Sequence, residues 1–264
     1  MLRYASSRMF FLTFLTLFLA GPLAAKDASE LPIGINEKLG EIVDLNYRFV
    51  DSHGDSVTVG ELVERPTIIN FVYFSCPGIC SPLLEGLQTA VELVDLEAGV
   101  DFRVVTISIK DDETAEDAAR RKKDFMQRFH KQKMDEQDWI WLTGDSANIK
   151  GLTDATGFAF KRTGDDFAHP GVIMVVDREG RMCRYLYGTS FNPFNLKMAV
   201  LEASQSKWGP SMASVAKFCF SYDPNGRGYV LNFKRIFASL VLLGMLGFVF
   251  VITRKGKSKQ PVER

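Results

Sequence analysis

Two cysteines four positions apart, Cys76 and Cys80, stand where a buried strand gives way to a helix. The run Thr67-Ile68-Ile69-Asn70-Phe71-Val72-Tyr73-Phe74 is continuous, β-branched and aromatic, the pattern of a strand covered on both faces. Ser75-Cys76-Pro77-Gly78-Ile79-Cys80 turns the chain, and Ser81 to Leu93 then repeats apolar residues at helical spacing, at Leu83, Leu84, Leu87 and Val91. Thiols in such a place are rigidly held and partly exposed, and the free amides of a helix start favour thiolate over thiol. The spacing lets the pair share a soft metal ion or close a disulfide. Two thiolates suit Cu(I) or Zn(II). A structural zinc would ask for four ligands, and only three candidates are evident; the third is His169, in the loop Asp165-Asp166-Phe167-Ala168-His169-Pro170 ahead of a core strand, with a plain surface histidine as the alternative. Three ligands suit trigonal Cu(I) better. An inert Cys76–Cys80 disulfide is the plain alternative, but it closes so short a loop that it would stabilise little. His53 in a turn and His130 on a charged helix read as surface residues.

Composition bounds the setting. The chain has 264 residues, no net formal charge and 46% hydrophobic residues, so one domain of ordinary size remains once both ends are set apart. A neutral balance gives no reason to expect nucleic acid as a partner. Four cysteines are too few for a disulfide scaffold, and apolar packing must supply the core.

Both ends read as membrane segments. Arg3 and Arg8, an apolar core from Met9 to Ala20 and the small-residue site Leu23-Ala24-Ala25 make residues 1–25 a signal peptide, with an uncleaved anchor as the alternative. No cysteine stands near the cleavage point, which argues against a lipoprotein. Ile236 to Thr253 is long enough to span a bilayer with little tilt. Lys234 and Arg235 precede it, whereas Arg254, Lys255, Lys257 and Lys259 follow, so the heavier positive flank puts the tail 254–264 in the cytoplasm. The expectation is a single-pass inner-membrane protein whose domain lies on the periplasmic side. Unprotected thiols oxidise there, so a working pair needs a reductant or a metal.

The elements that must position the site follow in order. Residues 26–38 read as a flexible arm, and Leu45 to Val59 as a hairpin around Asp51-Ser52-His53-Gly54-Asp55. After the cysteine turn come a second buried strand from Phe102 to Ile109 and a highly charged helix from Glu113 to Lys133 with a solvated face. A short strand follows at Trp139-Ile140-Trp141-Leu142, then a helix from Ser146 to Thr156, capped by Asp145 or Ser146, and an extended piece at 157–161. Val172 to Asp177 and Met182 to Tyr187 form a hairpin, and Asn195 to Ser206 the last helix. Strands alternating with helices, closed by a hairpin, imply an α/β sandwich with a mixed sheet. The scattered methionines, Met174 and Met198 among them, read as core, and Trp139 and Trp141 as packing. Cys183 reads as a buried strand residue, and Cys219 as a packing thiol or an extra copper or exchange site. Whether the two form a disulfide is not deducible.

At this point the chain resembles the Sco/SenC family of copper chaperones, which have a thioredoxin-like fold. The residues that carry the resemblance are Phe71-Val72-Tyr73-Phe74-Ser75-Cys76-Pro77-Gly78-Ile79-Cys80, Trp141-Leu142-Thr143-Gly144, and His169 ahead of Val172 to Gly180. It covers roughly Leu39 to Ser206. Cys219-Phe220-Ser221-Tyr222-Asp223-Pro224 before a membrane helix resembles a bacterial, C-terminally anchored subgroup. The implied organisation is a thioredoxin-like domain at 39–207, a juxtamembrane segment at 208–235 and a transmembrane helix at 236–253. The implied site is Cys76, Cys80 and His169 binding a copper ion, Cu(I) or Cu(II). The implied partner is subunit II of cytochrome c oxidase or another copper oxidase, which receives copper or has its site cysteines reduced. The chain departs from the family pattern at Lys110-Asp111-Asp112-Glu113-Thr114, where relatives have an Asp-Pro pair and a following Arg-Asp. It departs again at Ala168, where relatives often have an acidic residue. Pro170 is read as trans, as most X-Pro bonds are.

A second mechanism stays open. A thiol–disulfide oxidoreductase would attack target cysteines with one thiolate and resolve the mixed disulfide with the other, supplied by a thioredoxin-like reductant. The three-residue spacer Pro77-Gly78-Ile79 and the added His169 favour metal over exchange. A peroxidase-like or redox-sensing protein would not need His169.

Overall fold

The computed structural model describes residues 33–129, 134–209, 220–223, 228–231, 241 and 244–248. Thirteen strands and five helices are named here in chain order. The strands are β1 (Gly34–Ile35), β2 (Arg48–Asp51), β3 (Ser56–Thr58), β4 (Thr67–Val72), β5 (Arg103–Ser108), β6 (Trp139–Thr143), β7 (Phe158–Ala159), β8 (Lys161–Thr163), β9 (Asp166–Ala168), β10 (Val172–Val176), β11 (Met182–Tyr187), β12 (Phe220–Asp223) and β13 (Gly228–Leu231). The helices are α1 (Val59–Leu62), α2 (Cys80–Leu93), α3 (Ala115–Met126), α4 (Ser146–Thr156) and α5 (Pro193–Ser204).

Seven strands make the central sheet in the order β11-β10-β4-β5-β6-β2-β3. β4, β5 and β6 run parallel, whereas β10 lies antiparallel on β4 and β2 antiparallel on β6. Every residue of β4 is buried, as its unbroken apolar run demands, because the strand is central and covered on both faces. Alternation along the strands decides which side each residue serves. Asn70, Thr106 and Trp141 lie in register across β4, β5 and β6. On the Trp141 side α3 packs, with Phe125 5.0 Å from Trp139 and 5.5 Å from Trp141 between ring centres. Phe71 points the other way, to Phe158 at 4.8 Å, just past α4. α2 is flanked by α5 and by α3, whose following Arg128 carbonyl accepts from Gln88 Nε2 at 2.7 Å. The mixed sheet between helices is the sandwich that the sequence pattern implies.

Several boundaries differ from the sequence expectation. α3 begins at Ala115 because Thr114 and Asp117 form a reciprocal capping box. Its face is not wholly solvated: Lys122 is buried, and its ammonium donates to the Glu136 carbonyl at 2.6 Å. α5 starts two residues early, where Asn192 caps and Pro193 takes the first turn. Of the expected arm 26–38, residues 33–38 are described and are tied down. β1 pairs with β7, the Asn36 amide donates to the Gly157 carbonyl, and the Lys38 amide donates to Tyr185 Oη. The loop expected at 165–170 is in part a strand, since β8 and β9 form a hairpin whose turn uses Gly164 at φ +66°. Met174 is buried, but Met198 is 39% exposed because α5 turns it outward. His53 is exposed, Cys183 is fully buried and free, and both tryptophans are packed as expected. Residues 1–25, His130, Cys219 and, apart from 241 and 244–248, the span 236–253 and tail 254–264 lie outside the described residues. A Cys183–Cys219 pairing falls outside them for the same reason. Among the described residues no helix is long and apolar enough to cross a membrane.

The seating of α2 has a checkable cost. A Cβ at Gly86 would stand 1.9 Å from the Thr189 backbone oxygen, on the segment after β11. Gly86→Ala should gain about 1 kcal/mol in helix propensity yet lose about 1–3 kcal/mol to overpacking against backbone. We expect a net loss in urea unfolding. A variant as stable as the parent would show that this contact gives way freely.

Candidate metal and thiol centre

The site is assembled by three parts of the chain that end together. β4 delivers Tyr73 and the turn, α2 begins at Cys80, and β9 runs out at Ala168 just before His169. Cys76, Cys80 and His169 each offer one ligand atom, and these atoms all lie within 4.8 Å of one another. Cys80 Sγ is 3.3 Å from His169 Nε2. His169 Nδ1 is 3.1 Å from the Pro170 carbonyl oxygen. A carbonyl only accepts, so that bond requires the proton on Nδ1 and leaves Nε2 as the lone-pair atom facing the thiols. An imidazole fixed through its far nitrogen in this way is how ligating histidines are commonly oriented. Pro170 itself is trans, as expected.

The two thiols are not alike. Cys76 is partly exposed and Cys80 is buried. Burial pushes the Cys76 thiol up, but hydrogen bonds from the Cys80 thiol, from the Cys80 and Gly78 amides and from Tyr73 outweigh it, and the net shift is downward. The Gly78 amide donates to Cys76 Sγ at 3.3 Å. Cys80 is driven well up, first by burial and then by its bond to Cys76. The expectation that the helix start favours thiolate at both positions thus holds for Cys76 alone. Cys80 is itself the first residue of α2 and is sealed by the core, where desolvation outweighs the helix dipole. Burial also lowers His169, against the opposing bond to Pro170, and keeps the ring in its neutral, ligand-competent form.

Aromatic rings wall the site. Tyr73 meets Phe167 at 5.4 Å and stands edge-on to His169 at 6.2 Å, and Phe158 lies 6.1 Å from His169. The Tyr73 hydroxyl donates to Asp166 Oδ1 at 3.2 Å. An ion pair between Arg162 and Asp111 ties the same hairpin to the loop after β5, at 3.7 Å and half exposed. Ring pairs are worth about 0.5–1.5 kcal/mol beyond burial and such surface ion pairs about 0–1 kcal/mol, so the rings hold the histidine's hairpin in place.

One participant was not visible in the sequence as a site residue. Glu113, 9% exposed, accepts from the Phe74 and Ser75 amides at 2.8 Å each and from Ser75 Oγ at 2.8 Å. It lies in the stretch 110–114 that departs from the family pattern. Only its acidic character was a signal, and acidic residues surround it in the sequence.

The chain has relatives in sequence and in fold. A family model described as SCO1/SenC matches residues 36–205. An SCO2-like protein of Rickettsia felis is 26% identical over 149 residues, which cover 54% of this chain and 68% of that protein. An SCO2-like protein of Rickettsia typhi is 25% identical over 159 residues, 58% of this chain and 71% of the relative. A crystal structure of an Aquifex aeolicus protein described for electron transfer superposes with a TM-score of 0.57 at 26% identity, covering 64% of this chain and 95% of that one. Arabidopsis thaliana ScoI with copper bound gives a TM-score of 0.51 at 23% identity, covering 62% and 99%, a likeness of fold.

Two outcomes follow from the unequal environments. With the protein reduced and metal-free near pH 7, iodoacetamide should label Cys76 before Cys80, whose thiol burial drives well up, and before Cys183, which burial pushes up to about 12. Mass spectrometry showing Cys80 or Cys183 labelled first would contradict this electrostatic assignment. The fold holds His169 below its ordinary value, so the unfolded chain binds the extra proton. Stability conferred by the neutral ring is present above about pH 6.5 and is lost as pH falls below it. Urea midpoints at pH 7.5 and 5.5 should therefore differ more for the parent than for His169→Gln; equal differences would refute the shift.

Proposed function

The chain belongs to the SCO1/SenC family, and we propose that it is a membrane-anchored copper metallochaperone whose cargo sits on Cys76, Cys80 and His169. The observation that carries this reading is the convergence of two sulfurs and an imidazole nitrogen within 4.8 Å. The donor set fits a soft monovalent ion: two thiols that give thiolates and a neutral ring whose Nε2 lone pair faces them. Oxide-loving ions such as magnesium or calcium would find no oxygen ligand among the three. Copper capture displaces the Cys80 proton, since a ligating thiol must be deprotonated. Release runs by exchange onto the thiolates of a recipient, and Cys76, the partly exposed sulfur, is the one such a recipient can reach. Subunit II of cytochrome c oxidase, or another copper oxidase, is the recipient in this reading. Support comes from the family to which the chain belongs. Delivery on the periplasmic face is supported by the apolar run 236–253 and its heavier positive flank at 254–264, and export by the signal-like residues 1–25.

The thiol asymmetry favours one alternative. An acidified, reachable Cys76 beside a buried, protonated Cys80 is the arrangement of an attacking and a resolving thiol. In that reading the protein reduces the recipient's copper-site cysteines, and a thioredoxin-like reductant resets it.

Copper stoichiometry separates the two. The full chain, reduced under anaerobic conditions, should hold one copper per chain, and Cys76→Ser, Cys80→Ser and His169→Ala should each lose it. No copper on the parent, with disulfide exchange intact in His169→Ala, would exclude the chaperone and leave the oxidoreductase.

A further inference from the structure

We propose that Glu113 is a positioning residue that sets the affinity of the centre by locking the turn that carries Cys76. The proposal rests on the reading of Cys76, Cys80 and His169 as a copper site. Where β4 ends, the chain leaves the sheet and the Cys76 amide closes a turn onto the Tyr73 carbonyl at 3.2 Å. The two amides inside that turn, Phe74 and Ser75, have no backbone acceptor there. Both donate instead to one carboxylate, Phe74 to Oε2 and Ser75 to Oε1 of Glu113, at 2.8 Å each. Ser75 Oγ adds a bond to Oε1 at 2.8 Å, and Ser108 Oγ, at the end of β5, adds one to Oε2 at 2.6 Å. A carboxylate offers about four acceptor positions, and four donors use them.

The arrangement does more than cap a turn. Two of the donors belong to the turn backbone directly before Cys76, and one belongs to the neighbouring parallel strand. Glu113 itself directly precedes Thr114, the cap of α3. One buried side chain thus fixes the position of Cys76 relative to the core and to α3, while Cys80 is fixed separately by α2. The gap between the two sulfurs is set by two independent anchors, and Glu113 is the anchor on the Cys76 side. Glutamine cannot replace it. An amide has one acceptor oxygen, whereas the Phe74 and Ser75 amides approach different oxygens. Hydroxyls can rotate to accept from the new NH2 group; a backbone N–H cannot, and one is left unbonded.

The test compares Glu113→Gln with Thr114→Ala, which removes the adjacent α3 capping box and costs stability without touching the turn. Cu(I) affinity is measured on the reduced full chain by competition with a chelator, and unfolding midpoints are measured alongside. We expect Glu113→Gln to weaken Cu(I) by about 10–100-fold, the range for partners that orient ligands, while Thr114→Ala binds as the parent does. Unchanged affinity in Glu113→Gln, or an equal loss in Thr114→Ala, would overturn the proposal. Should Glu113→Gln fail to fold, Ser75→Ala removes one donor and leaves the carboxylate in place. A smaller loss in the same direction supports the proposal, and none overturns it. If the parent holds no Cu(I), the copper reading fails on its own, and the glutathione equilibrium decides about Glu113. There Cys76 and Cys80 give two electrons and two protons to one oxidised glutathione, forming the Cys76–Cys80 disulfide and two reduced glutathiones. A shift of about tenfold or more confined to Glu113→Gln keeps the positioning role, and equal constants in all variants remove it.

Discussion

The site depends on the abrupt exit of a doubly buried strand into a helix. β4 has no exposed residue, and α2 opens at Cys80, so the short turn between them is the first place where this part of the chain meets solvent. A turn leaving a sheet gives up ladder bonds, and buried amides without partners are costly. The chain meets that cost with a side chain, Glu113, rather than with backbone. Partial exposure of the reactive sulfur and rigidity of its support, which usually oppose each other, are therefore combined.

The second consequence is inequality. Cys76 and Cys80 are four positions apart, yet one faces solvent beneath two amides and the other lies in the core. For a single thiol in water, a helix start and a few hydrogen bonds would favour thiolate. Inside the fold the desolvation of Cys80 exceeds those terms and keeps it protonated until something displaces the proton. His169 follows the same physics with the opposite charge, since burial favours its uncharged form.

Placement of the imidazole is a question of packing. β8 and β9 carry exposed, polar residues over Lys161–Thr163 and bury little but Phe167. That ring packs on Tyr73, which follows β4, and on Phe160, so the hairpin borrows its order from the wall of the site. Tyr73 thereby links the cysteine turn, through its ring and hydroxyl, to the strand that ends beside His169.

The strand–turn–helix around Cys76 and Cys80 is legible in the residues, because a continuous apolar run followed by helical periodicity admits few other arrangements. The sequence also carries the alternation of strands and helices, and it marks His169 as the third candidate ligand, a role that the family resemblance implies. The β8–β9 hairpin reads in sequence as a loop, because Lys161-Arg162-Thr163 has no hydrophobic alternation and the hairpin's order comes from rings distant in the chain. Residues 33–38 look like part of a free arm for the same reason, since β1 is two residues long and owes its existence to β7. The difference between Cys76 and Cys80, and the bonding of Glu113, among a cluster of acidic neighbours, to the turn, emerge only from the folded chain. Both are outcomes of burial and of contacts between residues some forty positions apart, and residue spacing carries no record of either.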